Sequence, residues 1–162
     1  MTESNEWRGK VGRLAADELD AFLAEGHIAR LACLDRAGWP YVVPVWHEWD
    51  GRGFWVIPRL RSAWAEYLRA EPRCAISIDE AGTQRKVIAQ CRAQLVEEPN
   101  TGGRWVPIAE RMSVRCLGEN GPRYLQPTLG QRRWLFWLAP VDVLTWQGVD
   151  WAARYKEPAE GG

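Results

Sequence analysis

The run KVIAQCRAQLVEE, Lys86 to Glu98, constrains the fold of this chain more than any other stretch. Val87, Ala89, Cys91, Ala93 and Leu95 alternate with Lys86, Gln90, Arg92 and Gln94. Successive side chains of a strand point to opposite faces, so the alternation describes a long strand with one apolar and one polar face. A sheet of that kind is wet on one side, which suits antiparallel pairing rather than a parallel sheet buried on both faces. HIARLACLD, YVVPVWHEW, GFWVIP, RCAISID and RRWLFWLAPVDVLTW also read as strands. DRAGWP and WDGRG are turns, and the Asp35 to Gly38 connection implies a hairpin. Pro44, Pro58 and Pro140 should mark edges or bends.

Three helices interrupt the strands. ADELDAFLAEG takes Asp17 as its cap and Gly26 as its stop; SAWAEYLRAEP takes Ser62 as its cap, with Trp64, Tyr67 and Leu68 along one face; IAERMSVRCLG ends at Gly118. PNTGGRWVP reads as a loop and ENGPRYLQPTLGQ as irregular. No βαβ rhythm is present. The expected class is mainly β with some helix (α+β): a six-stranded antiparallel barrel with a few flanking helices.

Length and composition fit one domain over residues 1–162, with 46% hydrophobic and 26% charged residues, a core from about 14 to 156 and a polar tail at 157–162. Lys plus Arg and Asp plus Glu both number 21, so no long-range field draws the protein to nucleic acid or to an anionic membrane. MTESNEWRGK lacks the apolar core of a signal peptide, and no run approaches the ~18 apolar residues of a membrane span. A cytoplasmic protein is expected. Cys33, Cys74, Cys91 and Cys116 show no CxxC spacing and read as reduced thiols, mostly buried. With His27 and His47 as the only histidines, a multi-histidine metal site is excluded unless carboxylates or cysteines do most of the ligation, and no metal is expected. GxGxxG, GxxxxGK[ST] and GxSxG are absent, which removes the main support for dinucleotide, NTP and α/β-hydrolase readings. The 11 tryptophans could pack a barrel interior or wall a flat aromatic ligand.

The segments HIARLACLDRAGWPYVVPVW, FWVIPRLRSAWAEYLRAEPRCAISID, KVIAQCRAQLVEE and APVDVLTWQGVDWAARY, in this order, resemble the pyridoxamine 5′-phosphate oxidase-like split-barrel flavoproteins. That group also includes deazaflavin-dependent reductases and haem-handling relatives. The resemblance runs from about residue 27 to residue 155 and implies an FMN-binding type of split barrel, a homodimer with flavin sites at the subunit interface, and hydride transfer to or from an unidentified small-molecule substrate. FMN is the cofactor preferred; a deazaflavin coenzyme and haem are the alternatives. A haem-binding or non-catalytic barrel that has lost flavin is the competing function.

In this family the turn after the third strand and the start of the next helix hold the cofactor phosphate, usually through a Ser-Arg-Lys-like run. Here those positions are Ser62, Ala63 and Trp64. Ser62 fits; the two cationic positions do not. Free N–H groups at a helix start still favour an anion, and Arg59 and Arg61 just upstream could supply the charge. Trp64 is then a core anchor or a wall of the site. Lys86 matches a polar flavin contact at the start of the fifth strand, Trp146 matches a tryptophan that flanks the flavin from the partner, and Arg154 matches a substrate-side arginine. His47 shares a strand face with Val43, Val45 and Trp49, so it reads as a core histidine, a proton donor beside the flavin or substrate, or an axial haem ligand.

Overall fold

A computed structural model of the protein describes residues 5–158. Of the polar tail assigned to 157–162, only the first two residues are therefore described. Seven strands form one antiparallel sheet: β1 (Ala29–Leu34), β2 (Pro40–Val45), β3 (Glu48–Trp49), β4 (Phe54–Val56), β5 (Arg73–Asp79), β6 (Lys86–Asn100) and β7 (Arg133–Trp146). Their spatial order is β2-β1-β5-β6-β7-β4-β3. The two outermost strands are consecutive in sequence, joined only through Trp46 and His47, so the sheet has to curl to bring its edges together. β2 and β3 are not paired to each other among the described residues, and the curl stays split.

The count of seven corrects the expected six. YVVPVWHEW is not one strand: it breaks at Trp46–His47, where the chain turns from one sheet edge to the other. The alternation in β6 is observed as far as Cys91, with Val87, Ala89 and Cys91 buried and Ile88, Gln90 and Arg92 exposed; beyond it Ala93 is half-buried and Leu95 exposed, so the buried face ends before the strand does. Pro44 lies on the edge strand β2, where a missing N–H costs no ladder bond. Pro140 sits at a register shift: Cys91 pairs with Pro140 while Gln90 pairs with Asp142, so Val141 is the extra residue of a bulge.

Among the described residues four α-helices flank the sheet: α1 (Ala16–Leu23), α2 (Ala63–Ala70), α3 (Trp105–Leu117) and α4 (Gly121–Leu125). Two expected caps act differently. The Glu18 carboxylate, not Asp17, closes the start of α1 by accepting the Ala15 N–H at 2.7 Å. Ser62 precedes α2, but its hydroxyl accepts the Arg59 N–H at 3.1 Å and so braces the turn before the helix. Gly26 lies beyond the end of α1, and its role is close approach: a Cβ there would stand 2.3 Å from the Arg115 carbonyl oxygen. α3 starts three residues earlier than expected, and α4 lies inside the segment read as irregular.

Two apolar cores result. The concave face of the sheet, closed by α1 and α2, buries Phe22, Leu31, Phe54, Ile76 and Phe136. On the other face, α3 packs Trp105, Ile108 and Met112 against Leu135 of β7. Full burial of such side chains is worth about 1.5 to 3 kcal/mol each, so the helices are held mainly by packing. Trp64, Trp105 and Trp134 belong to these cores, whereas Trp7, Trp39 and Trp151 are more than two-thirds exposed. Cys33, Cys74 and Cys91 are buried on the concave face, and burial pushes the thiols of Cys74 and Cys91 up to about 12. Among the described residues no helix is long and apolar enough to cross a membrane.

Candidate functional site

Beyond β4 the chain crosses the start of β7, and Arg59 and Arg133 face each other there in an isolated antiparallel bridge. Leu60 N–H donates to the Arg132 carbonyl at 3.1 Å and Trp134 N–H to the Pro58 carbonyl at 3.0 Å, which fixes the pairing. Residues directly opposite in such a pair have their Cβ atoms about 4.5 to 5.5 Å apart on one face, and like charges there repel. Both side chains line a cavity of about 270 Å³ whose wall also includes Ser62, Trp64, Trp46 and Tyr124. No Asp or Glu lines it.

The two guanidiniums are held by neutral partners. Arg59 donates from Nη1 to Gln131 Oε1 at 3.2 Å and from Nη2 to the Tyr124 hydroxyl at 3.1 Å. Arg133 donates from Nη2 to Thr128 Oγ1 at 2.8 Å and lies over the Trp105 ring, 5.4 Å from its centroid. Arg133 is 7% exposed, and its buried Nε has no hydrogen-bond partner. Burial and the neighbouring Arg59 charge push the Arg133 guanidinium below its ordinary value. A buried cation with an unused donor, set against a second cation and no carboxylate, has the chemistry that an anion would satisfy.

α3 roofs this cavity with Ala109 and Met112, and Glu48 of β3 sets its position. The Glu48 carboxylate accepts Arg111 Nη2 at 2.6 Å, Arg111 Nε at 2.9 Å and Arg115 Nη2 at 3.0 Å. Burial works to raise the Glu48 carboxyl, but the two guanidiniums prevail and hold it below the usual range. Arg115 also donates from Nη1 to the His47 carbonyl at 3.0 Å.

Among the residues expected from sequence, Arg59, Ser62 and Trp64 line the cavity. Trp64, at 8% exposure, is at once a core side chain and a wall. Arg61 is exposed and does not line it, so the arginine pair drawn as Arg59 with Arg61 is in space Arg59 with Arg133. Arg59 and Arg61 are both exposed, but the bridge to β7 sets Arg59 at the rim of the cavity, while Arg61 lies away from it. His47 is 3% exposed, stands edge-on to Phe54 and does not line the cavity. Burial first, then the Arg115 charge, push its imidazole down to about 4, and its Nδ1 lacks a partner. His47 is thus a buried histidine that stands apart from this cavity. Lys86 and Trp146 pair with each other across β6 and β7, at the opposite end of β7 from Arg133. Trp146 and Arg154 share a second cleft, of about 730 Å³.

The missed residue is Arg133. Its signal was that, of the two arginines opening RRWLFWL, Arg133 is in phase with Leu135, on the face that α3 covers.

A family model described as pyridoxamine 5′-phosphate oxidase matches residues 15–147. The chain belongs to that family. Among solved structures, it is similar to the conserved hypothetical protein Rv2991 from Mycobacterium tuberculosis, with 21% identity and a TM-score of 0.66 over 96% of each chain. It is also similar to HutZ, the haem storage protein of Vibrio cholerae, with 22% identity and a TM-score of 0.61, covering 83% of this chain and 96% of that one. An F420 reductase shares 19% identity with a TM-score of 0.61, covering 77% of this chain and 94% of the other. These likenesses are of fold. No curated protein matches the chain.

Proposed function

We propose that this pyridoxamine 5′-phosphate oxidase family member is a flavin-dependent oxidoreductase that anchors the phosphate of FMN between Arg59 and Arg133. The observation that carries the reading is the cross-strand arginine pair in a cavity without a carboxylate, with Arg133 Nε buried and unpartnered. The residues fit the phosphate end of the cofactor: two guanidiniums supply the charge, and Ser62 lies at the start of α2 beside them. The 270 Å³ of the cavity fall below the roughly 300 to 1,000 Å³ of ordinary ligand pockets, so the ring system would extend outside it. When bound, the flavin supplies the hydride chemistry; the protein's own residues bind, orient and exclude water.

The separation of the expected residues supports a second element of the proposal. Arg59, Ser62 and Trp64 stand at one end of the sheet, Lys86, Trp146 and Arg154 at the other, so one chain alone does not surround a flavin with both groups. In a homodimer the second group would come from the partner. The outer face of the sheet suits such an interface, since Val42, Ile88 and Val141 are 61%, 43% and 68% exposed there. Light scattering at micromolar concentration should give a mass of two chains, and a monomer would remove the shared site. We place this activity in the cytoplasm, with an unidentified small-molecule substrate. A deazaflavin coenzyme shares the chemistry and remains the test's second ligand. The haem reading draws no support from the cavity, because neither His27 nor His47 lines it.

The test is flavin binding by fluorescence. Hydrogen bonds to charged groups contribute about 1.5 to 3 kcal/mol, so Arg133→Gln and Arg59→Gln should each weaken FMN binding by roughly ten- to a hundredfold. Riboflavin, which lacks the phosphate, should bind the parent and both variants alike, and Arg61→Gln should leave FMN affinity within about twofold, because that side chain does not line the cavity. The anchor is ruled out if riboflavin binds the parent as tightly as FMN does. Absence of binding by FMN and by the deazaflavin coenzyme would remove the oxidoreductase reading.

A further inference from the structure

We propose that Thr128 and Tyr124 are positioning residues of the arginine pair: their hydroxyls hold Arg133 and Arg59 in place for an anion without cancelling the charge of either. Two guanidiniums set opposite each other on one face repel, so each needs a restraint. The restraints come from one short stretch. α4 runs into a single helical turn at Gln126–Thr128 and then toward β7, and Tyr124, Thr128 and Gln131 supply every acceptor that the two guanidiniums bond among the described residues. All three acceptors are neutral oxygens.

The Thr128 hydroxyl is itself fixed, because it donates its proton to the Leu125 carbonyl at 2.8 Å and so turns only lone pairs toward Arg133 Nη2, also at 2.8 Å. The flat side of Arg133 is set by Trp105. That indole donates from Nε1 to the Asn100 carbonyl at 3.1 Å, which fixes the ring over which the guanidinium lies. Arg132 donates from Nε and Nη2 to the Pro99 carbonyl at 3.1 and 2.8 Å, and this ties the entry of β7 to the end of β6. Tyr124 acts at both ends of its side chain: the hydroxyl accepts from Arg59, and the ring stands 5.3 Å from the Trp46 ring, another wall of the cavity. A carboxylate in place of Thr128 would bond the guanidinium more strongly, but it would also cancel the charge that a phosphate needs. A hydroxyl fixes direction and leaves the charge. Arg133 is buried and has this one hydrogen-bonding partner, whereas Arg59 is exposed and has two, so Thr128 is the stronger of the two positioning residues. The inference rests on the phosphate anchor for its ligand; inorganic phosphate, which needs no flavin site, separates the two.

The test is calorimetric titration with inorganic phosphate beside fluorescence titration with FMN. Thr128→Val keeps the shape of the side chain and removes the hydroxyl, so it should weaken the anion by roughly tenfold, and Thr128→Ser should return the affinity to within about threefold of the parent. Tyr124→Phe should weaken it by about threefold, since Gln131 still holds Arg59. A double-mutant cycle, run with whichever of the two ligands binds the parent more tightly, distinguishes positioning from general support of the fold. In the Arg133→Gln background Thr128→Val should cost no further affinity, because the hydroxyl acts only through that guanidinium. A structural role would weaken binding in both backgrounds. The proposal is overturned if the parent binds neither ligand, if Thr128→Val keeps or improves the parent affinity, if Thr128→Ser does not restore it, or if the loss persists beside Arg133→Gln. Phosphate binding that follows this pattern without any FMN binding leaves the positioning role standing and removes the oxidoreductase reading; FMN binding that ignores Thr128→Val does the reverse.

Discussion

Glu48→Ala is expected to lower the unfolding free energy by about 3 kcal/mol, because it strands two guanidiniums that the fold has drawn onto one carboxylate. The Glu48 side chain is 10% exposed, while Arg115 is 20% and Arg111 is 55% exposed. The cost therefore falls mainly on Arg115, which would remain beside the His47 carbonyl with its charge uncompensated. Arg111 can turn to solvent, which keeps the loss toward the lower end of the range for breaking a buried pair. Removing both charges is a different change. Glu48→Leu with Arg115→Met replaces the pair by apolar groups of similar size and should restore most of the lost stability. Urea unfolding of the parent, the single variant and the double variant measures this. A loss under about 1 kcal/mol for Glu48→Ala would mean that the triad is a solvated surface pair. Since α3 roofs the anion cavity, the single variant should also bind FMN more weakly, although Glu48 does not line that cavity.

The sheet was legible where local pattern and tertiary role coincide. The β6 alternation specified a strand with one buried face, and the fold uses it so as far as Cys91; Leu95, read onto the same face, is exposed. YVVPVWHEW was read as continuous because every residue in it tolerates extended backbone; its break at Trp46–His47 follows from the need to carry the chain between the two edges of a curled sheet, which no local signal encodes. α4 was hidden for a different reason. Gly121, Pro122 and Pro127 punctuate its segment as a loop would, yet proline in the first turn of a helix removes an N–H that has no partner anyway.

The candidate site divides along the same line. Arg59, Ser62 and Trp64 were found because a turn leading into a helix is a local motif. Arg133 was not, since its pairing with Arg59 arises from a bridge between segments far apart in the chain. Conversely, Arg61 looked equivalent to Arg59 in sequence, and although both are exposed, only the direction of the turn after Pro58 sets one at the cavity and the other away from it. Charge content alone says nothing here: what makes the pair informative is a cross-strand register that sets like charges opposite each other without a carboxylate to relieve them.

Buried His47 should make the protein lose stability as the pH falls from about 6.5 to about 4, by roughly 3 kcal/mol over that window. Its ordinary value is 6.5, and in the fold burial and the Arg115 charge lower it to about 4, while the His27 backbone and Glu48 pull the other way without prevailing. Between those limits the unfolded chain binds a proton at this side chain and the folded chain does not, so acid favours unfolding and stability rises with pH. Above 6.5 both states are neutral and the slope vanishes. Glu48 acts in a separate window: its lowered carboxyl contributes stability above the ordinary 4.5, and that is lost only as the pH falls further, through its folded value. His47→Leu removes the titrating group together with the unpartnered Nδ1, so it should flatten the curve between pH 6.5 and 4 and leave the steeper loss at lower pH in place. Denaturant unfolding of parent and variant at pH 7, 5.5 and 4.5 reads the difference. A variant that keeps the parent's slope would assign the acid sensitivity to other groups and leave His47 a packing residue alone.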